Sequence, residues 1–338
     1  MSGASSRVRN GEGQRFPASF PKAEFWKNYV ITMRPYLIFV SGAAGLAGMA
    51  FIGSAGVDRL ILGFLPLFLS YGFGQALTDC FQTDTDSLSA PYRPLVKGTV
   101  SRAEVLAVSL GGLAGGLGIL AWLNPANLVL GALAVLGLLT YTPLKKRWWG
   151  GPFWNSWIVA LLPLMGRLVE KRTTPRELFG ASGPEGPAFV FSILAVFLGY
   201  ANFVVMGYFK DIAADRATGY RTLPVVFGWR VAAVWSDVLA VVFLAAAGAA
   251  VAISGGASVP AFGAFAAAAT LSLAAQIGIH RTRKESEAHG PIAHVVRVFI
   301  LGCAAVVLSR RPEWLAPLAV FYLLFEAALK LRPEKKQV

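Results

Sequence analysis

Long apolar stretches separated by short polar breaks fill most of this chain, at 34–54, 60–78, 103–123, 126–143, 152–168, 187–209, 231–253, 258–279, 293–309 and 314–331. Each lies in the range of roughly 17 to 25 residues that a helix needs to cross a hydrocarbon core. The pattern predicts an all-α, polytopic transmembrane helical bundle of nine to ten spans around a central cavity. The tenth stretch follows the break Arg310-Arg311-Pro312-Glu313, so it either crosses or lies along the interface. Small residues crowd the stretches, as in Gly111-Gly112-Leu113-Ala114-Gly115-Gly116, and such residues let helices approach closely in lipid.

Composition supports an integral membrane protein. Of the 338 residues, 55% are hydrophobic and 14% charged, with a mean hydropathy of +0.57, outside the range of soluble domains. The net charge of +13 would suggest nucleic acid in a soluble chain, but here it follows the loops. Alternate loops hold Arg93, Lys97 and Arg102, then Lys145, Lys146 and Arg147, then Lys210, Arg216, Arg221 and Arg230, then Arg281, Arg283 and Lys284. The opposite loops hold Arg59, Arg167, Lys171, Arg172, Arg176, Arg310 and Arg311. The bias is positive-inside; it accounts for the charge without nucleic acid and places both termini on the cytoplasmic side, of the plasma (inner) membrane in a prokaryote. Residues 1–30 read as a cytoplasmic segment without a cleaved signal peptide, 31–331 as one membrane domain and 332–338 as a cytoplasmic tail. The longest outer loop is expected at 170–187.

Five of the seven aspartates fall in two short segments, 78–86 (TDCFQTDTD) and 210–215 (KDIAAD), each closing an apolar run on the cytoplasmic side. Carboxylates are costly beside hydrocarbon, so their clustering there marks a functional site. Basic segments follow both, and carboxylates among cations suit a metal-bridged phosphate. Asp211 and Asp215 are four apart and share one face of a continuous helix. Asp79 and Asp86, seven apart, would also share a face, with Gln82 between them and Asp84 turned to solvent. The alternative is a helix-end charge cluster, with Lys210 and Arg216 as partners, which leaves Gly219, Thr222 and the matching first cluster unexplained. The repeated plan suggests a duplicated half, with the two segments facing across the cavity.

In these residues the chain resembles the UbiA superfamily of intramembrane prenyltransferases. The family's first motif, N-D-x-x-D-x-x-x-D, corresponds to 78–86, and its R-P-L-x-x-G element to Arg93-Pro94-Leu95-Val96-Lys97-Gly98. Its second motif, D-x-x-x-D-R-x-x-G-x-x-T-L-P-V, is matched from Asp211 through Val225. Met33-Arg34-Pro35-Tyr36 and Tyr141-Thr142-Pro143-Leu144-Lys145-Lys146, followed by Asn155, fit as well. The resemblance implies Mg²⁺ held between the motifs, binding the diphosphate of a polyprenyl donor, and a cavity open laterally to the lipid bilayer. Asp79, Gln82, Asp86, Asp211 and Asp215 become the metal-associated set, with Asp86, Asp211 and Asp215 catalytic. Arg34, Arg93, Lys145, Lys146, Asn155, Lys210, Arg216 and Arg221 become substrate contacts. The chain departs from the pattern at Thr78, where the family has Asn, and at Gln82, where it has Asp, which reduces the first metal site.

The leading functional expectation is Mg²⁺-dependent transfer of a prenyl group from a polyprenyl diphosphate to a hydrophobic, aromatic or lipid-like acceptor. A terpene cyclase of the same superfamily would use the same ionisation without a second substrate. A transporter or non-catalytic membrane partner would have no need of the Asp-x-x-x-Asp-Arg-x-x-Gly run.

Overall fold

The computed structural model describes residues 22–53, 55–170, 185–254 and 258–332. Most of the expected N-terminal segment, the outer loop with Lys171, Arg172 and Arg176, and the tail beyond 332 lie outside the described residues. Thirteen α-helices and no strand occur among those described. They are α1 (Ala23–Met33), α2 (Ile38–Met49), α3 (Val57–Asp79), α4 (Thr83–Ser89), α5 (Arg102–Leu123), α6 (Asn127–Lys145), α7 (Gly150–Arg167), α8 (Glu185–Gly207), α9 (Ile212–Ala217), α10 (Leu223–Ile253), α11 (Val259–Arg281), α12 (His289–Arg310) and α13 (Leu315–Lys330).

Every apolar stretch of the sequence has become a helix, and the short α4 and α9 are what the acidic segments add. Among the described residues eight helices are long and apolar enough to cross a membrane, or nine when the bent pair α1 and α2, 49° apart, is taken as one span. The expected fifth span, α7, is not among these. Its path is nevertheless fixed by its neighbours. α6 and α8 both end beside the acidic segments, while Val169, just past α7, accepts from Arg59 Nε at 2.6 Å near the start of α3. α7 therefore runs the length of the bundle beside them.

Burial separates the passes into inner and outer helices. In α12, 78% of the apolar window is buried, and in α8 61%, against 17% in α5 and α13. Trp122, Leu139 and Leu323 stand exposed on the outer helices, an arrangement stable only where the solvent is hydrocarbon. Close packing inside relies on small residues. A Cβ at Gly48 of α2 would lie 1.9 Å from the Pro163 carbonyl oxygen, and one at Gly166 would lie 2.4 Å from that of Gly45. The α2–α7 crossing thus brings backbone against backbone.

α1 begins at Ala23, inside the segment expected to lie outside the membrane domain. Phe25 and Tyr29 bury their rings with Met33, Ala76, Cys80, Val100 and Val105, and Tyr29 and Ser109 hydroxyls are 2.8 Å apart. Aromatic residues one helical turn apart explain the capture of this turn by α3 and α5. α1 ends at Arg34, with φ 54°, the one non-glycine in the left-handed region among the described residues. Pro35 follows and opens a single 3₁₀ turn into α2.

Candidate active site

Both acidic segments take the same local form, a long helix, a break of a few residues and a short helix. α3 stops at Asp79, α4 starts at Thr83, and Gln82 sits between them outside helical geometry, with φ −125° and ψ 19°. Likewise Asp211 precedes α9 at φ −123°, while Asp215 lies inside it. The single-face geometry expected from spacings of seven and four is therefore corrected. The carboxylates of each segment belong to different elements; Asp79 and Asp86 meet only at Arg93 Nη1, and Asp211 and Asp215 have separate partners. Across the gap, Thr85 of α4 and Thr218 beyond α9 bring their hydroxyls to 3.1 Å, joining the segments at one end of the bundle. Glu285, in the α11–α12 connection, accepts from the Ala213 amide at 3.0 Å and pins α9 from the other side.

Beneath this junction lies a cavity of about 600 Å³, walled by α2, α3, α5, α6, α7 and α8, with α4 and Ile292 of α12 completing the lining. Arg34, Gln82, Asp86, Arg93, Lys145, Asn155, Lys210 and Asp211 all line it. Asp79 and Asp215 do not. Asp79 is 3% exposed and accepts from Arg34 Nη2 at 2.9 and 3.0 Å and from Gln75 Nε2 at 2.6 Å, with Arg93 Nη1 at 3.8 Å. Asp86 is paired with Arg93 Nη1. Gln82 accepts from Lys145 Nζ at 2.6 Å. Lys210 Nζ stands 3.8 Å from Asp211 Oδ2, and Thr222 donates to Asp215 Oδ2 at 2.9 Å. Lys146, Arg216 and Arg221 are exposed and lie outside the cavity wall. Lys146 rides on the Tyr220 ring, 5.2 Å from its centroid, and Arg221 contributes its amide to the Lys146 carbonyl at 3.0 Å. Asp84 is exposed, as its side of the segment implied.

Electrostatics follow burial. Desolvation raises the Asp86 carboxyl above its ordinary range, opposed by the Arg93 guanidinium. Desolvation likewise pushes Asp215 up to about 6, opposed by Lys145. Among the described residues no three carboxylate, imidazole or thiol groups cluster closely enough to cage a metal. Asp86 and Asp211, one from each segment, do line one cavity, and Mg²⁺ takes one or two carboxylates, water and substrate phosphate oxygens rather than a protein cage. The donor set fits Mg²⁺ bound together with a diphosphate.

Away from the charged end the lining is apolar and aromatic, with Tyr71, Phe73, Tyr141, Tyr200, Phe203 and Tyr208. Asn155 Nδ2 donates to the Tyr200 hydroxyl at 3.3 Å, which donates to that of Tyr71 at 3.3 Å. Leu65, Ile119 and Val135 line the cavity while lying exposed on the bundle exterior, so it opens sideways between α3, α5 and α6. Sequence reasoning missed Gln75, although its place one turn before Asp79 signals a partner. It also missed Tyr71 and Tyr200, which carry no local signal.

The UbiA prenyltransferase family matches residues 37–292. The chain belongs to the UbiA prenyltransferase family. Among curated relatives, the digeranylgeranylglyceryl phosphate synthase of Thermococcus kodakarensis is 28% identical over 215 residues, 62% of this chain and 72% of the relative. That of Halobacterium salinarum is 30% identical over 210 residues, 61% and 71%. Among solved structures, an apo UbiA homologue from Aeropyrum pernix K1 superposes with a TM-score of 0.67 at 21% identity, covering 80% of this chain and 96% of the other. A UbiA homologue from Archaeoglobus fulgidus, bound to DMAPP and Mg²⁺, does so with 0.61 at 19% identity, covering 83% and 99%. This UbiA prenyltransferase is thus an integral membrane enzyme that transfers a prenyl group from a prenyl diphosphate to an acceptor.

Proposed function

We propose that the enzyme transfers a polyprenyl group, with Mg²⁺, to a hydrophobic acceptor that enters from the bilayer. One observation carries the reading: four cations and a carboxylate from each acidic segment line the charged end of a cavity whose remainder is aromatic and open to lipid. A diphosphate fits the first part and an isoprenoid tail the second. Arg34, Arg93, Lys145 and Lys210 bind the diphosphate oxygens, and because they are already in place they stabilise the charge that grows as the allylic C–O bond ionises. Asp86 and Asp211 would hold Mg²⁺ together with the donor's diphosphate, and the ion would supply further neutralisation of the leaving group's charge. Tyr71, Tyr141, Tyr200 and the neighbouring rings exclude water and present π-faces to the allylic cation until the acceptor captures it. Asp79 and Asp215 stand behind this layer, Asp79 fixing Arg34 and Asp215 fixing the turn at Thr222.

The acidic end faces the cytoplasm in this reading. Lys97, Arg102, Arg147, Arg230 and Arg281 crowd that end of the helices, which supports the positive-inside assignment. Digeranylgeranylglyceryl phosphate synthases among the relatives support a lipid-like acceptor. The test is product formation from labelled prenyl diphosphates in membranes containing the protein. Chelation of Mg²⁺ should abolish labelling, and Asp211→Asn should lower diphosphate release by about a hundredfold or more. Undiminished release by Asp211→Asn would overturn the role of Asp211, and labelling that persists in chelator would overturn the metal requirement.

A further inference from the structure

The acceptors of the first acidic segment divide its cations among themselves. Asp79 holds Arg34, Asp86 holds Arg93, and in the second segment Asp211 stands 3.8 Å from Lys210. Lys145 is the exception. Its ammonium donates to the amide oxygen of Gln82 at 2.6 Å and lies 5.5 Å from the Tyr220 ring centroid. Among the described residues no carboxylate oxygen lies within 4.0 Å of it. Gln82 is 6% exposed, so the amide and not solvent fixes the ammonium at the cavity wall. Of the four cations that line the cavity, Lys145 alone has no carboxylate in direct contact; Asp215 acts on it only from farther off, so a ligand can reach the ammonium without displacing an acid.

A carboxylate at position 82 would accept the same hydrogen bond and cancel that charge. The neutral amide supplies the geometry and leaves the charge for a ligand. Resting on the donor reading above, we propose that Gln82 gives this enzyme a diphosphate site that captures its donor without a divalent metal, with Lys145 as the first contact. The metal then acts on cleavage of the C–O bond and not on capture. Gln82 is a positioning residue in this scheme, and its identity sets whether donor binding depends on Mg²⁺.

Equilibrium binding of inorganic diphosphate, and separately of geranyl diphosphate, to the detergent-purified full chain tests this in EDTA and in Mg²⁺. Wild type should bind in EDTA within about threefold of its affinity in Mg²⁺. Gln82→Asp should bind at least about tenfold more weakly in EDTA and recover with Mg²⁺, because the added carboxylate cancels Lys145 yet offers a metal ligand. A merely structural role for Gln82 would weaken binding in both conditions alike. Wild-type binding that collapses in EDTA would overturn the proposal without needing any variant, as would Gln82→Asp binding like wild type in EDTA. Absence of binding even with Mg²⁺ is a separate result, and would overturn the donor reading itself.

Discussion

Asp215 is the most deeply buried acid of the second segment, 1% exposed, with the Thr222 hydroxyl donating to it at 2.9 Å. Burial raises its carboxyl from the ordinary 3.8 to about 6. A carboxyl whose pKa is higher in the fold binds its proton more tightly there than in the unfolded chain. Its contribution to stability is full below the unfolded value and is lost as the pH rises through the folded one. In chelator, the thermal midpoint of the purified protein should therefore fall between pH 3.8 and about 6, and Asp215→Asn should flatten that part of the curve. An identical slope in the variant would show that other groups set it. The identity of the charged residues was legible in the sequence, since so few acids occur in so apolar a chain. Their partners were not. Asp79 finds Arg34 across 45 positions and Gln82 finds Lys145 across 63, pairings that only tertiary packing creates.

At the scale of helices, hydrophobic length revealed every long element, because a span must hold an unbroken apolar run. It did not reveal the breaks after Asp79 and before Ile212. No proline or glycine marks the first, and at the second the single Gly207 closing α8 stands four residues before Asp211, so the helical spacing of the carboxylates reads through both. What ends the helices is the demand of the site itself, which draws Asp79 to Arg34 and Gln82 to Lys145. α7, 18 residues long, is less apolar than the other long helices, because its Gly, Pro, Asn and Trp residues serve packing and the cavity. Its crossing with α2 matters to chemistry, because α2 follows Arg34 and α7 carries Asn155. Gly48→Ala would drive a methyl into the Pro163 carbonyl and should destabilise the bundle by about 1–3 kcal/mol. Gly118→Ala on α5, where a Cβ meets nothing within 4 Å, is the control. Thermal unfolding should lower the midpoint for the first variant and spare the second; equal behaviour would remove the close crossing from the account.

For the molecule as a whole, the sequence pointed to a helical bundle with two converging acidic segments, and the family match bears out that fold. The cavity's volume and its sideways mouth were illegible, since they are made by residues scattered over eight helices with no common spacing. That mouth, flanked by Leu65, Ile119 and Val135, has a kinetic meaning. A substrate that arrives through it is dissolved in two dimensions, and its encounter frequency depends on molecules per area of bilayer. Diluting the acceptor with inert lipid at constant bulk concentration should then slow the enzyme in vesicles, whereas diluting the vesicles in buffer, with saturating donor, should leave the rate per enzyme unchanged. The donor's charged head and the acceptor thus obey different laws of concentration, one set by the volume of the aqueous phase and the other by the surface of the membrane.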